Sequence, residues 1–291
     1  MEPEASVWDN IITVYSPGGG TGKSEIAAHI AYILANRGKK VWLIDANLFT
    51  PSLDIIYNIN YDNCDTLNEF LLNDGLSQIP VRDISHLTKH HSNGRLYLTP
   101  CIRNDAERRS LTETALIENE NICEKIPGAI YQGLGTEIDY LIVDTHPGFE
   151  RINQAWLAIT NYLLVVSRIT AVDIENLGML LKEKNLIDIR KKLIVFNNVY
   201  IDEGRNAYRT MKNNEMQEKF LYYLNNPSAI TGVRPEEDNS VEIFNHPIPY
   251  SEALAAFPKE KGLYMLSHTM SDFACIMESL AEKIEYTVAS Q

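Results

Sequence analysis

The feature that most constrains this chain is a glycine run set between a strand signal and a helix signal. Ile11 to Tyr15 is apolar and β-branched, and Ser16-Pro17-Gly18-Gly19-Gly20-Thr21-Gly22-Lys23-Ser24 follows it directly. From Ser24 to Arg37, Ile26, Ile30, Ile33 and Leu34 fall on one helical face, and Gly38 supplies the stop. Glycines let successive backbone N–H groups converge on one anion, and the start of a helix adds its partial positive charge. Lys23 is placed to bridge the outer oxygens of a polyphosphate, and the Ser24 hydroxyl to ligate a divalent cation. Strand, loop and helix in this order are the context a phosphate-binding P-loop requires.

Further β-branched runs alternate with helical stretches: Lys40 to Ile44, Leu96 to Thr99, Tyr140 to Val143, Tyr162 to Val166 and Leu193 to Phe196. This alternation predicts βαβ crossovers and an α/β fold, a mainly parallel twisted sheet flanked by helices on both faces. From about Met270, Phe273, Ile276, Met277, Leu280 and Ile284 recur at helical spacing, with Glu278, Glu282, Lys283 and Glu285 on the wet side of a closing helix. Between about 200 and 240 the rhythm breaks. There Arg205, Asn206, Lys212, Asn213 and Asn214 surround a helical run from Glu215 to Leu224. That stretch reads as an insertion into a single domain spanning 1–291 and as a candidate partner surface.

With 45% apolar and 22% charged residues, the chain can bury an ordinary core, which excludes disorder and fibrous repeats. No run approaches the roughly 18 apolar residues of a membrane span, and Met1-Glu2-Pro3-Glu4 lacks the parts of a secretion signal, so a cytoplasmic location is expected. Cys64, Cys101, Cys123 and Cys275 form no close pair and are expected to be reduced and mostly buried. Lys plus Arg number 26 against 39 Asp plus Glu, and the net charge of −13 disfavours a nucleic-acid partner unless basic residues gather on one face. His86, His90 and His91 have no carboxylate or thiol at ligand spacing and read as a polar loop. Pro235-Glu236-Glu237-Asp238 reads as a solvated loop.

Two carboxylates end apolar strands. Val41-Trp42-Leu43-Ile44-Asp45 closes one and Tyr140-Leu141-Ile142-Val143-Asp144 another, at the carboxyl ends where ligands sit in open α/β sheets. Asp144, held by the apolar run before it, is placed to bind Mg²⁺ through water.

Loop and carboxylates together resemble the MinD/ParA family of dimeric ATPases, whose deviant loop reads Lys-Gly-Gly-x-Gly-Lys-Ser/Thr. Gly19-Gly20-Thr21-Gly22-Lys23-Ser24 matches it, whereas Gly18 stands at the family's signature lysine and Pro17 where a strict Walker loop has its first glycine. The resemblance covers about residues 10 to 285. It implies ATP and Mg²⁺ as ligands, with Gly18, Gly19, Gly20, Thr21, Gly22, Lys23 and Ser24 around the phosphates and Ser24 with Asp144 on the metal. It also implies that Asp45, followed by Pro51-Ser52-Leu53-Asp54, orients the attacking water, although Asn47 stands where relatives often carry a second Asp. By the same resemblance Asn197 bonds the adenine edge, and the backbone at Pro249, within Pro247-Ile248-Pro249-Tyr250-Ser251-Glu252, lines the base. The signature lysine reaches the partner subunit's nucleotide in the family. Gly18 cannot, so hydrolysis is expected to be slow unless another cation substitutes, and Arg151 is the candidate. His146, where relatives commonly have Pro or Ala, is expected to make a packing or polar contact in the second switch, with a role in catalysis as the alternative.

The ending Glu282-Lys283-Ile284-Glu285-Tyr286-Thr287-Val288-Ala289-Ser290-Gln291 carries too little positive charge for the membrane helix of MinD proteins. Nonspecific DNA binding of the ParA kind would require Arg95, Arg103, Arg108, Arg109, Arg190, Lys191 and Lys192 to cluster. Tyrosine autokinases of capsule synthesis share the loop but end in a tyrosine cluster, where this chain has Tyr286 alone. The function implied is a Mg²⁺-dependent ATPase that forms a homodimer with ATP and recruits or positions an unidentified protein partner or cargo. The alternatives are a nucleotide-sensing scaffold without efficient hydrolysis and a ParA-like DNA-partitioning ATPase.

Overall fold

The computed structural model describes residues 10–60, 65–72, 78–88, 93–101, 110, 114, 124–132, 138–148, 150–183, 186, 189–199, 207–232, 240–258 and 261–289. Strands β1 (Ile11–Tyr15), β2 (Lys40–Ala46), β3 (Arg82–Asp83), β4 (Arg95–Thr99), β5 (Tyr140–Thr145), β6 (Tyr162–Ser167), β7 (Lys191–Phe196) and β8 (Val241–Ile243) form one sheet in the order β3-β4-β2-β5-β1-β6-β7-β8. The pairings are parallel except that of β3 with β4. Helix α1 (Lys23–Asn36) leaves β1; α2 (Leu53–Tyr57) and α3 (Leu67–Leu72) follow β2; α4 (Lys125–Gln132), α5 (Arg151–Leu157) and α6 (Ala171–Leu180) flank β5 and β6. Helices α7 (Ala207–Asn225) and α8 (Ser228–Thr231) separate β7 from β8, and α9 (Glu252–Ala255), α10 (Tyr264–Ser267) and α11 (Asp272–Ala289) close the chain.

The central strands are apolar throughout because both faces of the sheet are covered. Their period of two sorts the side chains. Ile12, Val14, Val41, Leu43 and Ile142 turn toward a cluster with α1 and α11. Ile11, Trp42, Ile44, Leu141 and Val143 turn the other way, onto Leu67 and Phe70 of α3, Ile126 of α4 and Trp156 of α5. On that same side Leu163, Val165, Ile194 and Phe196 meet Leu177 of α6, Phe220 of α7 and Ile230 of α8. Each such Leu or Ile contributes about 1.5–3 kcal/mol when fully buried.

Several sequence expectations are adjusted. Helix α1 is buried all round from Ile26 to Ala35, not on one face only, because α11 packs on the side turned from the sheet. Helix α11 begins at Asp272 because the Ser271 hydroxyl accepts the Ala274 N–H at 3.2 Å, which leaves Met270 outside and 88% exposed. Helix α7 starts well before Glu215, through polar residues that carry no apolar period. Strands β3 and β8, two and three residues long, are too short for alternation to reveal. Cys101 is buried, but Cys275 sits on the exposed side of α11, while Cys64 and Cys123 lie outside the described residues. His86 forms part of a single 3₁₀ turn, Ser85–Leu87. His90, His91, residues 235–238 and Arg103, Arg108 and Arg109 also lie outside the described residues. No described helix is long and apolar enough to cross a membrane.

Strand order reverses about the centre of the sheet: β1 is flanked by β5 and β6, and β2 lies beyond β5. The carboxyl ends of these four strands therefore meet at the crevice where open α/β sheets bind ligands.

Candidate functional site

The glycine loop leaves β1 and turns directly into α1. Gly20 and Gly22 have φ of 68° and 86°, left-handed conformations that favour glycine, and Gly22 is the N-cap of α1. The Ser16 hydroxyl donates to the Gly18 carbonyl at 2.5 Å and pins the start of the loop. Asn197, one residue past β7, donates from Nδ2 to the Thr21 carbonyl at 2.7 Å. A Cβ on Gly22 would collide with that same amide, so the loop and the end of β7 fit only with glycine there. Asn197 thus lies beside the phosphate loop, with its Nδ2 engaged by the loop itself.

Lys23 and Asp144 are almost wholly buried. Burial lowers the Lys23 pKa while Asp144 opposes that shift. Burial pushes the Asp144 carboxyl up to about 6, with Lys23 and the Ser24 hydroxyl drawing it back. Even so, neither Asp144 oxygen meets a hydrogen-bond partner among the described residues. Buried oxygens without donors are costly and rare, and a cation resolves the cost. The donor set suits a hard divalent ion: a carboxylate, a hydroxyl at Ser24 and a phosphate cradle alongside.

Asp45 lies opposite Asp144 in the β2–β5 register. Burial, then the charge of Asp144, raises its pKa well above the usual carboxylate range, and the amides of Leu53 and Asn47 oppose the rise. Its Oδ1 accepts the Asn47 N–H at 3.3 Å, and Oδ2 accepts those of Ser52 at 3.3 Å and Leu53 at 3.2 Å. Asp45 therefore folds the following loop back onto the strand end. Within that loop Asn47 donates to the Thr50 carbonyl at 2.9 Å, and its Oδ1 lies 3.0 Å from His146 Nδ1. His146 also stacks edge-on against Phe49, which places it in packing, as expected.

Two cavities meet over the loop. One of about 330 Å³ is lined by Gly19 to Glu25, Asn47, Thr50, Ser52 and Pro147. The other, about 440 Å³, is lined by Ile26, Asn197, Pro249, Tyr250, Phe257 and Tyr264 among others. Gly20, Gly22, Glu25, Ile55 and Ile56 border both. Asn197 and Pro249 thus border one cavity, together with Tyr250 from the segment expected to line the base, whereas Glu25, Phe257 and Tyr264 have no sequence signal that marks them. The Ser251 hydroxyl, accepting the Leu254 N–H as N-cap of α9, was the local sign that a helix covers this cavity.

Gly18 and Arg151 border neither cavity. Arg151 is exposed at the start of α5. The side chain that comes near Gly18 is a carboxylate paired with another arginine. A Cβ there would meet Asp173 Oδ1 at 3.6 Å, and Asp173 holds Arg168 by Nε at 2.9 Å and by a second guanidinium nitrogen at 3.2 Å.

A mainly parallel sheet carrying this loop, its lysine and serine, and an open aspartate at a neighbouring strand end defines a P-loop NTPase. A family model described as an AAA domain matches residues 9–195, and the chain belongs to that family, within the MinD/ParA group of P-loop ATPases. The septum site-determining protein MinD of Thermotoga maritima is 30% identical over 162 residues, 54% of this chain and 52% of that protein. The iron-sulfur cluster carrier protein of Escherichia coli K12 is 26% identical over 192 residues, 66% of this chain and 44% of that protein. The chain thus spans about half the length of these curated relatives. In the solved MinC:MinD cell division complex of Aquifex aeolicus, one chain matches 95% of this one over 96% of its own length, with a TM-score of 0.65 and 19% identity, a likeness of fold.

Proposed function

We propose that this chain binds ATP with Mg²⁺, hydrolyses it slowly, and in its triphosphate state pairs with a second copy and recruits a protein partner or cargo. The observation that carries this reading is Asp144, buried with both oxygens open beside Lys23 and Ser24. In this reading the loop amides and Lys23 hold the phosphates, and Ser24 and Asp144 hold the ion. When bound, Mg²⁺ neutralises phosphate charge. Asp45 positions the loop through which water reaches the outer phosphate, and Asn197 and the Pro249 backbone face the base. Arg151 is the cation proposed to act across the pair in place of a lysine at position 18. The Aquifex relative was solved with MinC, which supports a protein as the class of partner.

The test is solution mass with Mg²⁺ and ADP, with ATP, and with a slowly hydrolysed ATP analogue. Doubling with triphosphate alone is expected. An unchanged mass with nucleotide demonstrably bound overturns the switch. A second reading, a sensor that binds ATP without useful turnover, is favoured by Asp45, whose oxygens are engaged by its own loop. Equal turnover by the wild type and Asp45→Ala would support the sensor; activity lost on substitution supports the ATPase.

A further inference from the structure

Glu25 follows the loop serine directly and stands in the first turn of α1. An acidic residue there is most simply a partner for the helix N-terminus. Its surroundings argue for more. Glu25 borders the phosphate cavity together with Thr21, Lys23 and Ser24, and it borders the larger, mostly apolar cavity together with Ile26, Asn197 and Tyr250. A ligand with phosphates on the loop and a flat apolar end in the larger cavity passes Glu25 at the junction. In a nucleotide the group at that junction is the sugar.

The carboxyl itself is poorly compensated. Its side chain is 39% exposed, at the place where the two cavities meet. Its neighbour at 3.6 Å is His29 Nδ1, which cannot serve as a cation: burial lowers the His29 pKa to about 4, and Nδ1 is engaged by the Glu25 backbone carbonyl at 2.6 Å. A carboxylate beside a polyphosphate repels it, so its presence favours binding only if the ligand brings donors. An ionised carboxylate offers acceptors alone, and the two hydroxyls of a ribose are a matched pair of donors. Acidic residues read the ribose in the same chemical way in dinucleotide-binding folds.

We propose that Glu25 is a specificity residue that accepts hydrogen bonds from the ribose hydroxyls, selecting ribonucleotides over deoxyribonucleotides. This rests on the reading of the site as a nucleotide site. The test is equilibrium binding of ATP, 2′-deoxyATP and 3′-deoxyATP to the full chain and to its Glu25→Ala and Glu25→Gln variants, without reference to turnover. For the wild type, at least one deoxynucleotide is expected to bind about tenfold more weakly than ATP, the loss of one hydrogen bond to a charged group. In Glu25→Ala the three ligands are expected to bind alike, with deoxynucleotide affinity raised because the repulsion is gone. Glu25→Gln, which keeps the shape and one acceptor, is expected to fall between and serves if the alanine variant folds poorly. Equal affinities in the wild type, or discrimination that survives in both variants, overturn the assignment. Failure of the wild type to bind ATP or ADP at all would instead overturn the nucleotide reading beneath it.

Discussion

Two aspartates stand side by side on neighbouring strands, equally buried, and differ in what their oxygens meet. Asp45 accepts three backbone amides from the loop that follows it. Asp144 has no hydrogen-bond partner for either oxygen among the described residues, although Lys23 and Ser24 lie near enough to lower its pKa. An acceptor with its donors in place holds structure, whereas one without them waits for a ligand. Two strand-end carboxylates alike in sequence context thus differ in use: one shapes the loop around the site, and the other, in the function proposed above, completes a cation site.

The sharpest way to break this contrast is Asp144→Asn, which removes the charge and nearly keeps the shape. The magnesium-dependent part of ATP affinity is expected to vanish and turnover to fall by about a hundredfold or more. The metal-free melting temperature is expected to fall less than in Asp45→Ala, since what is lost is the attraction of Lys23 and the pull of the Ser24 hydroxyl rather than three backbone hydrogen bonds. Titration of ATP binding against Mg²⁺ checks the first claim, and thermal melting in chelator checks the second. Unaltered magnesium dependence would place the cation elsewhere.

Asp45→Ala should behave in the opposite way. Three amides lose their acceptor, each worth about 1 kcal/mol net, and relief of a crowded, desolvated carboxyl offsets part of the loss. The expected destabilisation is about 2 kcal/mol, read from denaturant unfolding with no ligand present. If Asp144→Asn proves as destabilising, or Asp45→Ala proves neutral, the division of roles fails.

Much of this site is legible in the sequence because its signals are local. The loop announces itself through adjacent glycines, and Asp45 and Asp144 through the apolar strands they end. What their oxygens meet is not legible, because it depends on residues 47 to 53 turning back onto β2. Glu25 is hidden by its ordinariness, since an acid in the first turn of a helix needs no cavity to explain it. The approach of Asp173 to Gly18 depends on β6 pairing with β1, across some 150 residues of chain. Sequence pointed to Arg151 because it follows a motif; it gave no sign that Asp173, which pairs with Arg168, comes near Gly18.

The contrast also poses the question whether the two carboxylate loops respond together. Asn47, two residues past Asp45, and His146, two residues past Asp144, are bridged at 3.0 Å, and the bridge joins the loop held by the partnered aspartate to the one beside the open aspartate. Because the carbonyl oxygen of Asn47 can only accept, His146 carries its proton on Nδ1 in this contact. A double-mutant cycle with Asn47→Ala and His146→Ala isolates the link from the other bonds Asn47 makes to Thr50. A coupling energy of about 1 kcal/mol in unfolding free energy is expected, the worth of one neutral hydrogen bond. If that coupling grows when Mg²⁺ and an ATP analogue are added, occupation of the cation site is transmitted to the loop that Asp45 holds. Strict additivity in both conditions would mean that two adjacent loops of different character move independently.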